Sequence, residues 1–253
     1  MGKIRLYIDH GFAPGQPVPL DAAQAHYLGG VMRQPVGAEI AVFNGRDGEW
    51  AARLQSLGKR GGELGLIAPT APQVDPPDVW LLFAPIKKTR TDFIVEKAAE
   101  LGAARIQPVQ TDHSNTERIA RERLQAHAVE AAEQCGGTFV PPVGNLVALP
   151  RLLAGWDPAR RILWADEALA EGAAEGAAES PIQALSGLPR GPWAILIGPE
   201  GGWSTAERQR LGGLDFVHRI SLGPRILRAD SAAVAALTLW QAVLGDWNPP
   251  RDK

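Results

Sequence analysis

The stretch Ile195-Leu-Ile-Gly198-Pro-Glu-Gly-Gly202-Trp-Ser-Thr-Ala-Glu207 decides the fold. A buried-type apolar run enters a glycine-rich turn, and a helix start follows at once. Ser204 and Glu207 have the spacing of a capping box, in which each side chain satisfies a free backbone N–H of the first helical turn. Gly201 and Gly202 permit positive φ and let a ligand approach the backbone closely. A strand-to-helix turn needs one or two special residues. This one holds three glycines, Pro199 and Glu200 at the carboxyl end of a strand, where ligands sit in open α/β sheets. No Gly-Lys-Ser/Thr follows, so it is not a Walker loop. Gly198-Pro-Glu-Gly201 also lacks the dinucleotide spacing.

A second such turn lies about twenty residues on: Ile220-Ser-Leu-Gly223-Pro-Arg-Ile-Leu-Arg228-Ala-Asp-Ser231. It leaves the apolar run Val217–Leu222 and opens a long apolar helix over Ala232–Leu244, with Asp230 or Ser231 as its N-cap. Arg225 and Arg228 sit beside Ile226 and Leu227 in a glycine-proline loop. They read either as solvated charges or as ligand contacts.

Working outward, Val79–Ala84, Arg105–Val109, Arg161–Ala165 and Trp193–Ile197 are further strand-like runs. Helices lie between them. One carries Ile94, Ala98 and Leu101 and stops at Gly102, and one covers Glu117–Gln134 before Gly136-Gly137. Alternating strand and helix predicts an α/β fold with a mostly parallel sheet covered by helices. Residues 1–70 follow a different grammar. Ala38–Phe43, Glu49–Leu57 and Glu63–Ala68 read as strands, joined by the turn dipeptides Asn44-Gly45 and Asp47-Gly48. Asp21–Met32 reads as a short helix capped by Asp21. Ala68–Asp78 holds Pro69, Pro72, Pro76 and Pro77, which exclude helix and central strand. This predicts a domain over 1–70, a linker over 71–78 and a second domain over 79–253. Glu167–Ser180 repeats Glu-Gly-Ala-Ala and reads as a surface segment with little helix.

Bulk properties bound the function. Of 253 residues, 45% are hydrophobic and 21% charged, as in ordinary globular proteins. Twenty-six basic and 28 acidic residues leave a net charge of −2. Residues 1–72 carry 7 basic and 6 acidic groups and the remainder 19 and 22, so neither part is a polyelectrolyte arm. Positive charge gathers in loops instead, at Lys87-Lys88-Thr-Arg90 and at Arg225–Arg228. The first of these reads either as a solvated helix start or as a phosphate-contacting patch. One cysteine, Cys135, excludes an internal disulfide framework. His10, His26, His113, His127 and His218 have no metal-ligand spacing. No apolar window would span a bilayer, and Met1–His10 has no signal-like run, so a cytoplasmic protein without a metal is expected.

Gly198-Pro-Glu-Gly-Gly202 together with Leu222-Gly-Pro-Arg-Ile-Leu-Arg228 resembles the paired cofactor loops of the bacterial 16S rRNA (uracil(1498)-N3)-methyltransferases, the RsmE family of trefoil-knotted SPOUT methyltransferases. His26-Tyr-Leu-Gly-Gly-Val-Met-Arg33 and Val42-Phe-Asn-Gly-Arg-Asp-Gly-Glu-Trp50 resemble that family's N-terminal PUA-like barrel. Ile94-Val-Glu-Lys-Ala-Ala-Glu-Leu-Gly102 and Glu130-Ala-Ala-Glu-Gln-Cys-Gly136 match its helical signatures. The resemblance covers nearly the whole chain, with two departures. The family often has Arg-Thr-Glu-Thr where this chain has Arg228-Ala-Asp-Ser231, and a basic residue where it has Asp112.

The resemblance implies a trefoil-knotted sheet behind a PUA-like RNA-binding barrel. It implies S-adenosylmethionine held by three loops, with S-adenosylhomocysteine as product. The first loop supplies Trp164, Ala165 and Glu167. The second supplies Ile197, Gly198, Pro199, Glu200, Gly201 and Gly202. The third supplies Ser221, Leu222, Gly223, Ile226 and Leu227. Arg228 would hold the target uracil or its phosphate and stabilise the charge that develops on the uracil oxygens. Arg5, Arg33, Lys87, Lys88, Arg90 and Arg225 would contact RNA, and Lys3 to Tyr7 reads as an RNA-facing strand. Nothing in the residues singles out the proton acceptor among Glu200, Asp230 and water. The implied partners are 16S rRNA within the assembled small subunit and a second copy of the chain, paired through the apolar C-terminal helix with Trp240 and Trp247. The rival readings are an RNA-binding protein that has lost catalysis, another SPOUT RNA methyltransferase, and an unrelated phosphate-binding α/β enzyme.

Overall fold

The computed structural model describes residues 4–171 and 180–247. Lys3 and the 172–179 part of the Glu-Gly-Ala-Ala segment lie outside the described residues. The chain divides into two compact units: Met1–Asp75 with Ala132–Val140, and Pro76–Ala131 with Pro141–Lys253.

The first unit holds strands β1 (Arg5–Tyr7), β2 (Pro17–Leu20), β3 (Glu39–Phe43), β4 (Glu49–Gly58) and β5 (Gly61–Ala71), with the short helix α1 (Ala22–His26) after β2. The strands form one sheet in the order β1-β3-β4-β5-β2, antiparallel except that β1 runs parallel to β3. On β4 the buried side chains are Trp50, Ala52 and Leu54, a period of two that turns one face to the core. Leu6, Val18, Leu28, Ile40 and Leu64 belong to the same core. Asp21 caps α1 in a capping box with Gln24, and the chain then widens into a π-helical turn over Tyr27–Val31. The Asn44–Gly48 turn is built by Asn44, whose Oδ1 accepts from the backbone N–H of Arg46 and Asp47. Donation from the Asn44 amide and from the Phe12 N–H holds the Asp47 carboxyl below its ordinary pKa.

Two expectations change here. The proline-rich stretch does not begin as a linker, because β5 continues through Pro69 to Ala71. Proline is tolerated because β2 pairs only with Gly62–Gly65, so at Pro69 the strand has one neighbour, β4, and its missing N–H is not needed. Arg5 is not a free RNA contact. Its side chain is 12% exposed, pairs with Glu49 at 2.7 Å and donates to the carbonyls of Ala132, Glu133 and Gly137. The guanidinium also lies over the Phe43 ring.

The second unit carries β6 (Val79–Phe83), α2 (Lys88–Glu100), β7 (Arg105–Gln110), α3 (Arg121–Cys135, whose end belongs to the first unit), β8 (Val147–Ala148), α4 (Leu149–Ala154), β9 (Arg161–Ala165), α5 (Ala168–Glu171), α6 (Pro181–Ser186), β10 (Trp193–Ile197), α7 (Thr205–Gly212), β11 (Val217–Ile220) and α8 (Ala229–Val243). Its six strands are all parallel in the order β11-β9-β10-β6-β7-β8. Every residue of β10 is buried, as a continuous apolar run in a sheet covered on both faces requires. α3 starts at Arg121, four residues later than the sequence pattern predicts.

α8 begins at Ala229, with Arg228 rather than Asp230 or Ser231 at the N-cap and no side-chain cap bond. Asp230 instead sits in the first turn, 3.7 Å from Arg90. α8 packs against α2, α6, β6 and β10. Trp240 is 1% exposed, so that residue is spent on the chain's own core and offers no face to a second copy; Trp247 is 53% exposed. Buried Gln241 on α8 donates to the carbonyls of Leu101 and Gly102 at the end of α2, at 2.7 and 3.3 Å. Gln241→Leu strands these acceptors. A loss of about 1–3 kcal/mol is expected, read as a lower urea midpoint at unchanged slope.

Candidate active site

A cavity of about 420 Å³ opens at the carboxyl ends of β6, β9, β10 and β11. Four chain segments line it: Lys87 and Arg90 after β6, Ala165, Asp166, Glu167 and Ala170 at the end of β9 and beyond it, the β10–α7 turn, and the loop after β11 from Ser221 to Arg228 with Ala229 and Ala232 of α8. The sheet order brings them together. β9 lies between β10 and β11, so loops distant in sequence leave the same edge of the sheet side by side.

The glycines of the β10–α7 turn are demanded by packing within the protein. Gly202 has φ +70°, and a Cβ there would collide with the Glu167 carboxylate. A Cβ on Gly198 would come within 2.8 Å of the Trp203 ring. Trp203 itself donates from Nε1 to the Ala165 carbonyl and packs edge-on against Trp164. The Ser204–Glu207 capping box forms. Glu207 also accepts from the Asp112 N–H at 2.9 Å, and the Ser204 hydroxyl donates to Asp112 at 2.5 Å. Asp112 therefore fastens the loop after β7 to the start of α7, which accounts for an acid at a position where the family often has a base.

Asp166 is the anchor of the β9 loop. Its side chain is 0% exposed and held between two arginines: Oδ1 is 2.6 Å from Arg208 Nη1, and Oδ2 is 2.6 Å from Arg219 Nη2. Oδ1 also accepts from the Ala168 N–H. Arg208 bonds Glu167 as well, at 2.6 Å, and Glu167 accepts from the Trp203 N–H. One network thus joins β11, the β9 loop, the β10–α7 turn and α7. Across the cavity lining, Arg90 donates to Glu200 at 2.6 Å and faces Asp230. Lys87, Arg225 and Arg228 are exposed, and among the described residues their side chains make no hydrogen bond or ion pair.

A family model described as the RNA methyltransferase domain matches residues 74–241, and one described as the RNA methyltransferase PUA domain matches residues 20–67. A Synechocystis protein named ribosomal RNA small subunit methyltransferase E is 32% identical, over 90% of this chain and 73% of its own length. The chain belongs to the ribosomal RNA small subunit methyltransferase E family. The Bacillus subtilis member is 30% identical, over 85% of this chain and 86% of its own. The crystal structure of the Neisseria gonorrhoeae member, bound to S-adenosyl methionine, aligns with TM-score 0.83 at 26% identity, covering 98% of this chain and all of that one.

Within this methyltransferase E fold, the residues expected at the cofactor divide. Ala165, Glu167, Ile197, Gly198, Pro199, Glu200, Gly202, Ser221, Leu222, Gly223, Ile226 and Leu227 line the cavity. Trp164 does not: it is 2% exposed and belongs to the core beneath. Nor does Gly201, whose carbonyl meets His113 Nδ1 at 3.0 Å. Of the residues expected at RNA, Lys87, Arg90 and Arg225 line the cavity, and Lys88 is exposed beside it in sequence. Arg90 is engaged by two carboxylates. Arg33 is an exposed residue of the first unit, with φ +51°. Sequence reasoning missed Asp166. The available signal was an aspartate placed directly after a buried parallel strand, at the edge where this fold class binds ligands.

Proposed function

We propose that this chain methylates N3 of one uridine of 16S rRNA, the uracil(1498)-N3 reaction, with S-adenosylmethionine as methyl donor. The coarser reading, an S-adenosylmethionine-dependent rRNA methyltransferase, is that of its family. The observation that carries the finer one is the cavity itself: a pocket with apolar flanks, bordered by Lys87, Arg225 and Arg228, whose side chains pair with no carboxylate among the described residues.

The residues present fit the cofactor. A cavity of about 420 Å³ lies within the size range of small-molecule sites. Leu222, Ile226 and Leu227 offer apolar flanks for an adenine face. The peptide groups of Gly198–Gly202 and Ser221–Gly223 offer donors and acceptors for its edge. When bound, the cofactor supplies an electrophilic methyl group on a sulfonium. The chain's own residues do the rest. The Asp166–Arg208–Glu167 network holds the loops at fixed spacing, so the reactants meet without further ordering. Arg228 takes the negative charge that spreads onto the uracil oxygens as N3 loses its proton. Lys87 and Arg225 hold the neighbouring phosphates.

The same proposal includes a trefoil knot at the β9–β10–β11 loops and a PUA-like RNA-binding domain before a short linker. It also includes action on the assembled small subunit in the cytoplasm, as a homodimer. A chain with little net charge recognises a shaped particle through distributed contacts rather than through bulk attraction. No helix among the described residues is long and apolar enough to cross a membrane.

Calorimetry of the pure protein with S-adenosylmethionine is expected to show one site per chain. Mass spectrometry of rRNA from a strain lacking the gene is expected to show 3-methyluridine lost and restored on complementation. Absence of cofactor binding, or 3-methyluridine that persists without the gene, overturns the reading.

A further inference from the structure

We propose that Glu200 is the proton acceptor for uracil N3, an assignment that rests on the function proposed above. Uracil N3 carries a hydrogen, so its electron pair is free to take a methyl group only when that proton leaves. A side chain that accepts it must line the cavity, keep an unengaged basic atom, and reach water to discharge the proton afterwards. No histidine lines the cavity; His113 Nδ1 lies 3.0 and 3.1 Å from the Gly201 and Gly202 carbonyls.

Three carboxylates do line it. Asp166 is completely buried, with both oxygens on arginines. Glu167 receives Arg208 and the Trp203 N–H and is built into the turn at Gly202. Glu200 is the most open of the three, at 40% side-chain exposure. Its Oε1 accepts from Arg90, and among the described residues its Oε2 has no partner. Asp230 does not line the cavity and faces Arg90 from α8.

Arg90 fixes the direction of the Glu200 carboxylate. Arg90 also faces Asp230, at 3.7 Å, so both acids lie on one guanidinium. The other charged groups lining this space are Lys87, Arg225 and Arg228, with Asp166 and Glu167 across the pocket.

The step balances. The N3–H bond breaks and its proton passes to a Glu200 oxygen. The N3 electron pair forms the new bond to the methyl carbon. The carbon–sulfur pair stays on sulfur, which becomes a neutral thioether, and Glu200 returns its proton to water.

The test is Glu200→Gln, which keeps shape and removes basicity. At pH 7 a loss of about 10²–10⁴-fold in kcat is expected. Cofactor affinity by calorimetry and the melting temperature should stay near the wild-type values. The discriminating measurement is the pH profile. With no internal base, the rate of the variant should rise about tenfold per pH unit up to the ionisation of uracil itself, approaching the wild type in alkali. A purely structural role lowers the rate equally at every pH. An unchanged rate, a uniform loss across pH, or loss of cofactor binding each overturns the assignment. A wild-type chain that makes no 3-methyluridine overturns the functional reading and this assignment together. A wild type that does, beside a Glu200→Gln variant of undiminished rate, overturns the assignment alone.

Discussion

Arg228→Ala is expected to lower methylation about 10²–10³-fold, the usual cost of removing one donor that stabilises developing negative charge. It should leave the affinity for S-adenosylmethionine unchanged. Arg228 is exposed at the cavity, and among the described residues it makes no ion pair that its loss would break. Its backbone is the N-cap of α8, but its side chain makes no cap bond, so the helix does not need the guanidinium. Stability should therefore move by no more than about 0.5 kcal/mol. Single-turnover rates with calorimetry on the same samples separate the effects. Activity that survives intact removes Arg228 from the mechanism. A parallel fall in cofactor affinity reassigns it to the cofactor. Lysine keeps the charge but not the planar fork, so Arg228→Lys should recover only part of the rate.

Asp166→Ala should damage stability and activity together. It deletes a fully buried carboxylate that holds Arg208 and Arg219 and caps the start of α5. Breaking a buried pair costs about 3–5 kcal/mol when the survivor stays buried. Here Arg208 and Arg219 are 28% and 44% exposed and regain water. A loss of about 2–3 kcal/mol follows, below that range because the survivors are solvated. The functional effect should be about as large as the stability effect. Arg208 and Glu167 set where Trp203 and Gly202 lie, and a displacement of about 1 Å in a reactant site costs about 10²-fold in rate. Denaturant titration and cofactor calorimetry check both parts. A variant that binds cofactor as the wild type does would show that the loops hold their places without the network.

How much of this was legible beforehand depended on the range of the interaction. β9 and β10 were readable to the residue, because a strand buried on both faces must be apolar throughout. The Ser204–Glu207 cap was readable because its partners lie within three positions, and the two glycine loops because their composition is local. The Pro69 strand was not, since proline excludes a strand only where a second neighbour needs its N–H. Trp164 looked like a site residue because it stands in the right loop region. Only the packing shows that its ring faces the core and not the cavity.

By itself, then, the sequence determined the class of the sheet and the two glycine-rich turns, which follow from local composition and spacing, and it carried the motifs by which the chain resembles its family. The tertiary structure decided which charges are free. Asp166 meets its arginines 42 and 53 positions away, Arg90 meets Glu200 across 110, and Arg5 reaches carbonyls 127–132 positions on. A charged side chain reads the same in sequence whether it is paired or open. Only folding engages Arg5 and Arg90 with partners inside the protein and leaves Lys87, Arg225 and Arg228 available to a ligand.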